Sequence, residues 1–116
     1  MSAAKVDLLI EKGVTFSIIF TWLDTDGSAI DITDYTAKMT IRNTETGNVI
    51  ADSSDNITLA LGNTAGTVTV TMTATQTQAL DFIRAIYDIE LSDDSTPAVV
   101  TRLVEGNVVF SKGATR

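Results

Sequence analysis

Residues 67–73 read Thr-Val-Thr-Val-Thr-Met-Thr, a strict alternation of threonine with an apolar side chain. On a helix this order scatters Val68, Val70 and Met72 around the axis, whereas on a strand it places all three on one face. The same period of two returns at 84–92, where Ala85, Tyr87, Ile89 and Leu91 fall on one side and Asp88 and Glu90 on the other. Each segment therefore has one face to bury and one to leave wet, which is the signature of a half-buried strand.

The remaining segments follow the same pattern. After 84–92 comes Asp93-Asp94-Ser95-Thr96-Pro97, a run of turn formers ending in the chain's only proline, and then a second run, 98–111, that completes a long hairpin. Upstream, Val6, Leu8 and Ile10 mark a first strand ending at Gly13, and Phe16, Ile18, Phe20 and Trp22 line one face of a second. Asp24-Thr25-Asp26-Gly27-Ser28 is a hairpin signal, because Asp-Gly suits a turn with positive φ. Ala29–Ile32 is a brief return, and Tyr35–Asn43 is a strand with Ala37, Met39 and Ile41 facing in and Lys38, Thr40 and Arg42 facing out. Glu45–Asn48 turns the chain into a short strand at Val49–Ala51, and Ile57, Leu59 and Leu61 mark another before the turn at Gly62–Gly66.

Ala74–Leu80 breaks the alternation. Thr75 with Gln78 three residues on has the spacing of a capping box, so one short helical turn is expected at 75–80. Gly106 inside the last strand predicts a bulge or a close backbone approach. Seven to nine strands with turns every eight to twelve residues are the pattern of an all-β sandwich, with residues 1–116 forming a single domain. Its expected core holds Phe16, Phe20, Trp22, Met39, Ile41, Val70, Tyr87 and Ile89. Should Tyr35–Asn43 lie antiparallel to Arg84–Ser92, Lys38 and Arg42 share an outer face with Asp88 and Glu90.

What the chain lacks narrows its function. It has no cysteine and no histidine, which removes disulfides, thiolate metal sites and the usual general base. A net charge of −7 with the basic residues scattered argues against nucleic acid as a partner. No apolar run approaches a membrane span, and Met1–Lys12 has no signal-peptide apolar core, so a soluble chain not exported by the general route is expected. Asp24, Asp26 and Asp31 around Gly27 lack the ligand spacing of a calcium loop and read as a plain hairpin. Asn56-Ile57-Thr58 matches the glycosylation pattern by chance, given no export signal. Trp22 shares a face with Phe16, Ile18 and Phe20, so it reads as core rather than as a sugar-stacking ring. The residues thus predict no catalytic, cofactor-binding or metal site and no small-molecule substrate.

One resemblance goes further. Ile10-Glu11-Lys12-Gly13-Val14-Thr15-Phe16, Trp22, Asp26–Tyr35, Thr36–Arg42, Gly66-Thr67-Val68, Tyr87–Leu91 and Thr101–Gly106 together resemble small immunoglobulin-like virion proteins encoded among the tail and baseplate genes of tailed bacteriophages. The layout is also similar to the N-terminal immunoglobulin-like domain of baseplate upper proteins. Asp34 and Ala85 depart from that pattern, standing where such proteins tend to carry glycine.

The resemblance implies a single immunoglobulin-like antiparallel β-sandwich. It further implies a non-catalytic tail, baseplate or fibre-attachment component that is found in the virion after assembly in the host bacterial cytoplasm. Its partners are then other virion proteins and copies of itself in a symmetric assembly. The alternatives are a head decoration protein, on the same fold, and a glycan-binding module for host recognition. A partner-binding segment is expected at the C-terminal end, Lys112, Gly113, Ala114, Thr115 and Arg116, whose two cations follow an otherwise acidic body.

Overall fold

The computed structural model of the chain describes residues 4–44, 46–53, 56–80 and 84–111. Strands form wherever the sequence alternates: β1 Ala4–Lys5, β2 Leu8–Glu11, β3 Phe16–Thr21, β4 Thr36–Asn43, β5 Val49–Asp52, β6 Thr58–Leu61, β7 Thr67–Met72, β8 Arg84–Ser92 and β9 Val100–Ser111. They make two sheets. One runs β1-β9-β8-β4-β5 with β2 also paired to β9, and the other runs β3-β7-β6. The expected all-β sandwich is therefore what the chain forms.

The long hairpin at the C-terminal end, β8 and β9, is antiparallel, and β4 lies antiparallel on its other side with Lys38 opposite Glu90 and Thr40 opposite Asp88. Two pairings depart from antiparallel. β1 and β2 run parallel to β9, with Ala4 opposite Val104 and Leu8 opposite Val108.

The core lies between the sheets. Met39, Ile41, Val68, Val70, Met72, Ile89 and Leu91 are all fully enclosed. Each such side chain contributes roughly 1.5–3 kcal/mol relative to exposure. Of the expected core residues, Phe20, Met39, Ile41, Val70, Tyr87 and Ile89 are buried, while Phe16 and Trp22 are only partly so. The reason is position: β3 is an edge of its sheet, and Trp22 lies one residue beyond it. Trp22 instead meets Tyr35 edge to face, with ring centroids 5.9 Å apart and planes at 81°.

Ile32 and Thr77 are buried without an alternation signal. Ile32 is enclosed although it lies in a connecting segment, and Thr77 is enclosed although it is polar. The Thr77 hydroxyl accepts from Gly13 N at 3.0 Å and has Val14 O and Ala74 O within donating reach, so its burial is compensated. This contact ties the short helix α1, Ala74–Gln78, to the turn before β3.

The cap of α1 corrects the expected one. Thr73, not Thr75, accepts from Gln76 N, and the Gln76 side chain accepts from Thr73 N at 2.8 Å. The Thr-x-x-Gln spacing occurs twice in a row, and β7 ends at Met72, so the first threonine free of the strand takes the cap.

Gly106 answers to a close approach rather than a bulge. A Cβ built there would stand 2.1 Å from Val6 O. The register shift between β8 and β9 falls elsewhere, at Ile89/Glu90, and leaves Leu103 as the extra residue on β9.

Two outcomes follow from this packing. Phe20→Ala should cost about 3–5 kcal/mol in denaturant unfolding. A cost under about 1 kcal/mol would mean the β3 faces are reversed. Gly106→Ala should cost about 1–3 kcal/mol and raise amide exchange in Leu8–Glu11, because the new methyl displaces the chain at Val6.

Candidate functional site

The outer face of the six-stranded sheet holds the densest set of functional groups among the described residues. Arg102 on β9 stands at its centre. Its Nε lies 3.4 Å from Asp88 Oδ2, its Nη1 3.5 Å from Glu105 Oε1 and its Nη2 3.9 Å from Glu90 Oε2. All four side chains are part-exposed, so each pair contributes at most about 1 kcal/mol.

As alternation predicts, Lys38 and Arg42 share the outer face with Asp88 and Glu90, and Lys38 stands opposite Glu90. The strands are neighbours as expected, but the ion pairs run to Arg102, while Arg42 Nη1 donates to Gly47 O at 3.2 Å. The bulge is the cause. Counting back from the Ile89–Val104 pair without a shift, Arg102 would lie opposite Leu91 and point inward. The extra Leu103 reverses that parity and sets Arg102 outward, opposite Glu90. No residue type at 102–104 announces a bulge, so the sequence carried no signal for this cluster.

Beside the cluster lies an open groove of about 440 Å³, whose lining includes Lys5, Asp7, Arg42, Ile86, Arg102 and Asn107. One wall is the N-terminal segment running beside β9. Val6 N donates to Glu105 O at 3.0 Å, Asp7 Oδ1 accepts from Asn107 N at 3.1 Å, and the Tyr87 hydroxyl donates to Val6 O. Farther along the same face, Leu9, Val109 and Ile86 are about half exposed.

The perturbed groups are structural in character. Burial, then the negative charge of Asp7, pushes the Tyr87 hydroxyl up to about 12. The Thr33 hydroxyl and amide hold Asp31 below its ordinary value, and Ser95 Oγ with the Val99 and Ser95 amides does the same for Asp93. Each shift favours the form already present at neutral pH, the opposite of what an acid–base catalyst requires.

At the Asp24–Ser28 turn, Asp24 Oδ1 accepts from Asp26 N and Ser28 N at 2.8 and 3.1 Å, while Leu23 bridges to Ala29. The carboxylate is thus used to shape the hairpin. Among the described residues no three acidic side chains cluster for a metal ion, and no helix is long and apolar enough to cross a membrane. The expected partner-binding segment Lys112–Arg116 lies outside the described residues.

No family model matches the chain, and no curated protein matches it. Solved structures do, in 149 chains. Among them is a crystal structure of ICOS in complex with ICOS-L and an anti ICOS-L VNAR domain, with a TM-score of 0.52 and 9% identity. The match covers 94% of this chain and 56% of the other, so the likeness concerns the fold alone. The fold is immunoglobulin-like.

In that fold's lettering β3, β7 and β6 take the places of B, E and D, and β9, β8, β4 and β5 those of G, F, C and C′. Antibody domains bridge B to F with a disulfide. This immunoglobulin-like chain has no cysteine, and its sheets are held together by apolar packing.

Tyr87→Phe tests the contact of Tyr87 with Val6. At neutral pH it should cost about 0.5–1.5 kcal/mol, because Val6 O loses its donor. The folded-state value of Tyr87 is raised, so its contribution is complete below pH 10 and is lost as pH rises toward 12. In urea titrations across that range the wild type should lose its advantage over Tyr87→Phe. A constant difference would show that Tyr87 ionises no less readily when folded.

Proposed function

We propose that this chain is a non-catalytic structural protein of a tailed-bacteriophage virion, a tail, baseplate or fibre-attachment component acting through protein–protein contacts. The observation that carries it is the character of the surface. It consists of broad sheet faces and strand edges, and the groove beside Arg102 is open and lined by charges that largely offset one another. Such a surface suits repeated weak contacts multiplied by symmetry. The resemblance spread from Ile10 to Gly106 supports the same reading, as does the absence of histidine and cysteine.

In this role the acidic body would meet a neighbour through Lys112–Arg116, whose cations suit another copy's acids. The chain, expressed with an affinity tag in an infected host, should remain on gradient-purified particles and localise to tails rather than heads. Its absence from particles would overturn the proposal. Deleting Gly113–Arg116 should leave the fold intact and remove the protein from the particle. Full incorporation of the truncated chain would take the attachment role away from that segment.

A further inference from the structure

The free edge of the three-stranded sheet has backbone groups positioned for a further strand. β3 is paired on one side only, to β7. Trp22 N donates to Gly66 O at 2.8 Å, and the β3–β7 register, continued by one residue, sets those two opposite each other. Because bonding alternates along an antiparallel pair, Phe16, Ile18 and Phe20 turn their backbone groups toward β7. Ser17, Ile19 and Thr21 turn theirs to the open side, where no backbone partner meets them among the described residues.

Edges are ordinarily protected by charge, proline, a bulge or shortness. β5 has Asp52 and a register shift at Ile41/Arg42, β1 has Lys5, β2 has Glu11, and β6 is four residues long. β3, with sequence Phe-Ser-Ile-Ile-Phe-Thr, has none of these protections over six residues. Its core-facing Phe16 and Ile18 are only partly buried, whereas Val68, Val70 and Met72 on the central strand are fully enclosed. The core is therefore open along this seam. On the outward side Ile19 is 62% exposed, amid a face of Ser17, Thr21, Thr67, Thr69 and Thr71 that bears no charge.

Charge selects the occupant. A chain of net charge −7 repels its own copies, and uncharged surface is where two copies approach at least cost. The edge is also complementary to itself. With a two-fold axis at Ile19, Ser17 of one copy lies opposite Thr21 of the other, and each facing pair exchanges two backbone hydrogen bonds. The same register sets Ile18 beside Phe20 and Phe16 beside Trp22 across the junction, which covers the open seam. We infer that the chain forms an antiparallel two-fold homodimer through β3, joining the two three-stranded sheets into one. This inference stands apart from the virion role and does not require it.

Sedimentation equilibrium should show a reversible dimer. Ile19→Lys places like charges on the axis at an exposed position, and should raise the dimer dissociation constant by more than about tenfold while leaving thermal unfolding of the monomer unchanged. The absence of native cysteine makes a second test clean. Under mild oxidant Ile19→Cys should form a disulfide dimer readily, because paired residues at such a position lie within bridging distance. Ile86→Cys, also exposed but on the other sheet, should not. A monomer at high concentration would overturn the inference. So would a dimer indifferent to Ile19→Lys, or equal cross-linking through both cysteines.

Discussion

Everything in this molecule depends on apolar burial between two sheets of unequal width. The chain has no disulfide to hold the layers, so the layers are held by side chains such as Met39, Ile41, Val70 and Ile89, packed to full enclosure. Central strands are covered on every side, and their alternating residues disappear from solvent. At the edge of the narrow sheet β3 has a neighbour on one side only, which is why Phe16 and Ile18 remain partly covered. The hydrophobic effect acts on area removed from water, so driving force for further burial remains at that edge.

The edge of the wider sheet at β9 has an internal solution. The N-terminal segment lies along β9 in parallel, bringing Leu8 and Ile10 into the core. The segment keeps one register along β9 on either side of Gly106, where the absence of a side chain admits the Val6 carbonyl. That carbonyl accepts from the Tyr87 hydroxyl. One glycine, one tyrosine and one backbone oxygen thus permit the first strand to dock on the last. The connection joins residues that are far apart in the chain, so it closes only when the sandwich is assembled.

The surface is divided in the same way. The outer face of the wide sheet carries the charge, drawn together around Arg102, and the outer face of the narrow sheet is threonine with a single exposed isoleucine at its edge. One face is suited to polar, salt-sensitive contacts and the other to contacts that exclude charge.

The sequence by itself determined where strands form and which side chains point inward. Alternation is a local property, and a one-residue slip would put every apolar group in water, so the pattern at 67–73 and 84–92 left no alternative. It also disclosed the short helix near 75–80, though the doubled Thr-x-x-Gln left its cap ambiguous by two residues. Pairing was decided by tertiary structure. No local signal says that β1 and β2 run parallel to β9 or that Leu103 is an extra residue, and therefore none could place Arg102 among Asp88, Glu90 and Glu105. Nor could it say that β3 is an edge, since edge and centre differ in what lies beside a strand and not in the strand's own residues. The burial of Thr77 likewise depends on Gly13 and Val14, sixty-four and sixty-three residues away. Local sequence sets the period of each element, and the balance of buried area between sheets sets their order.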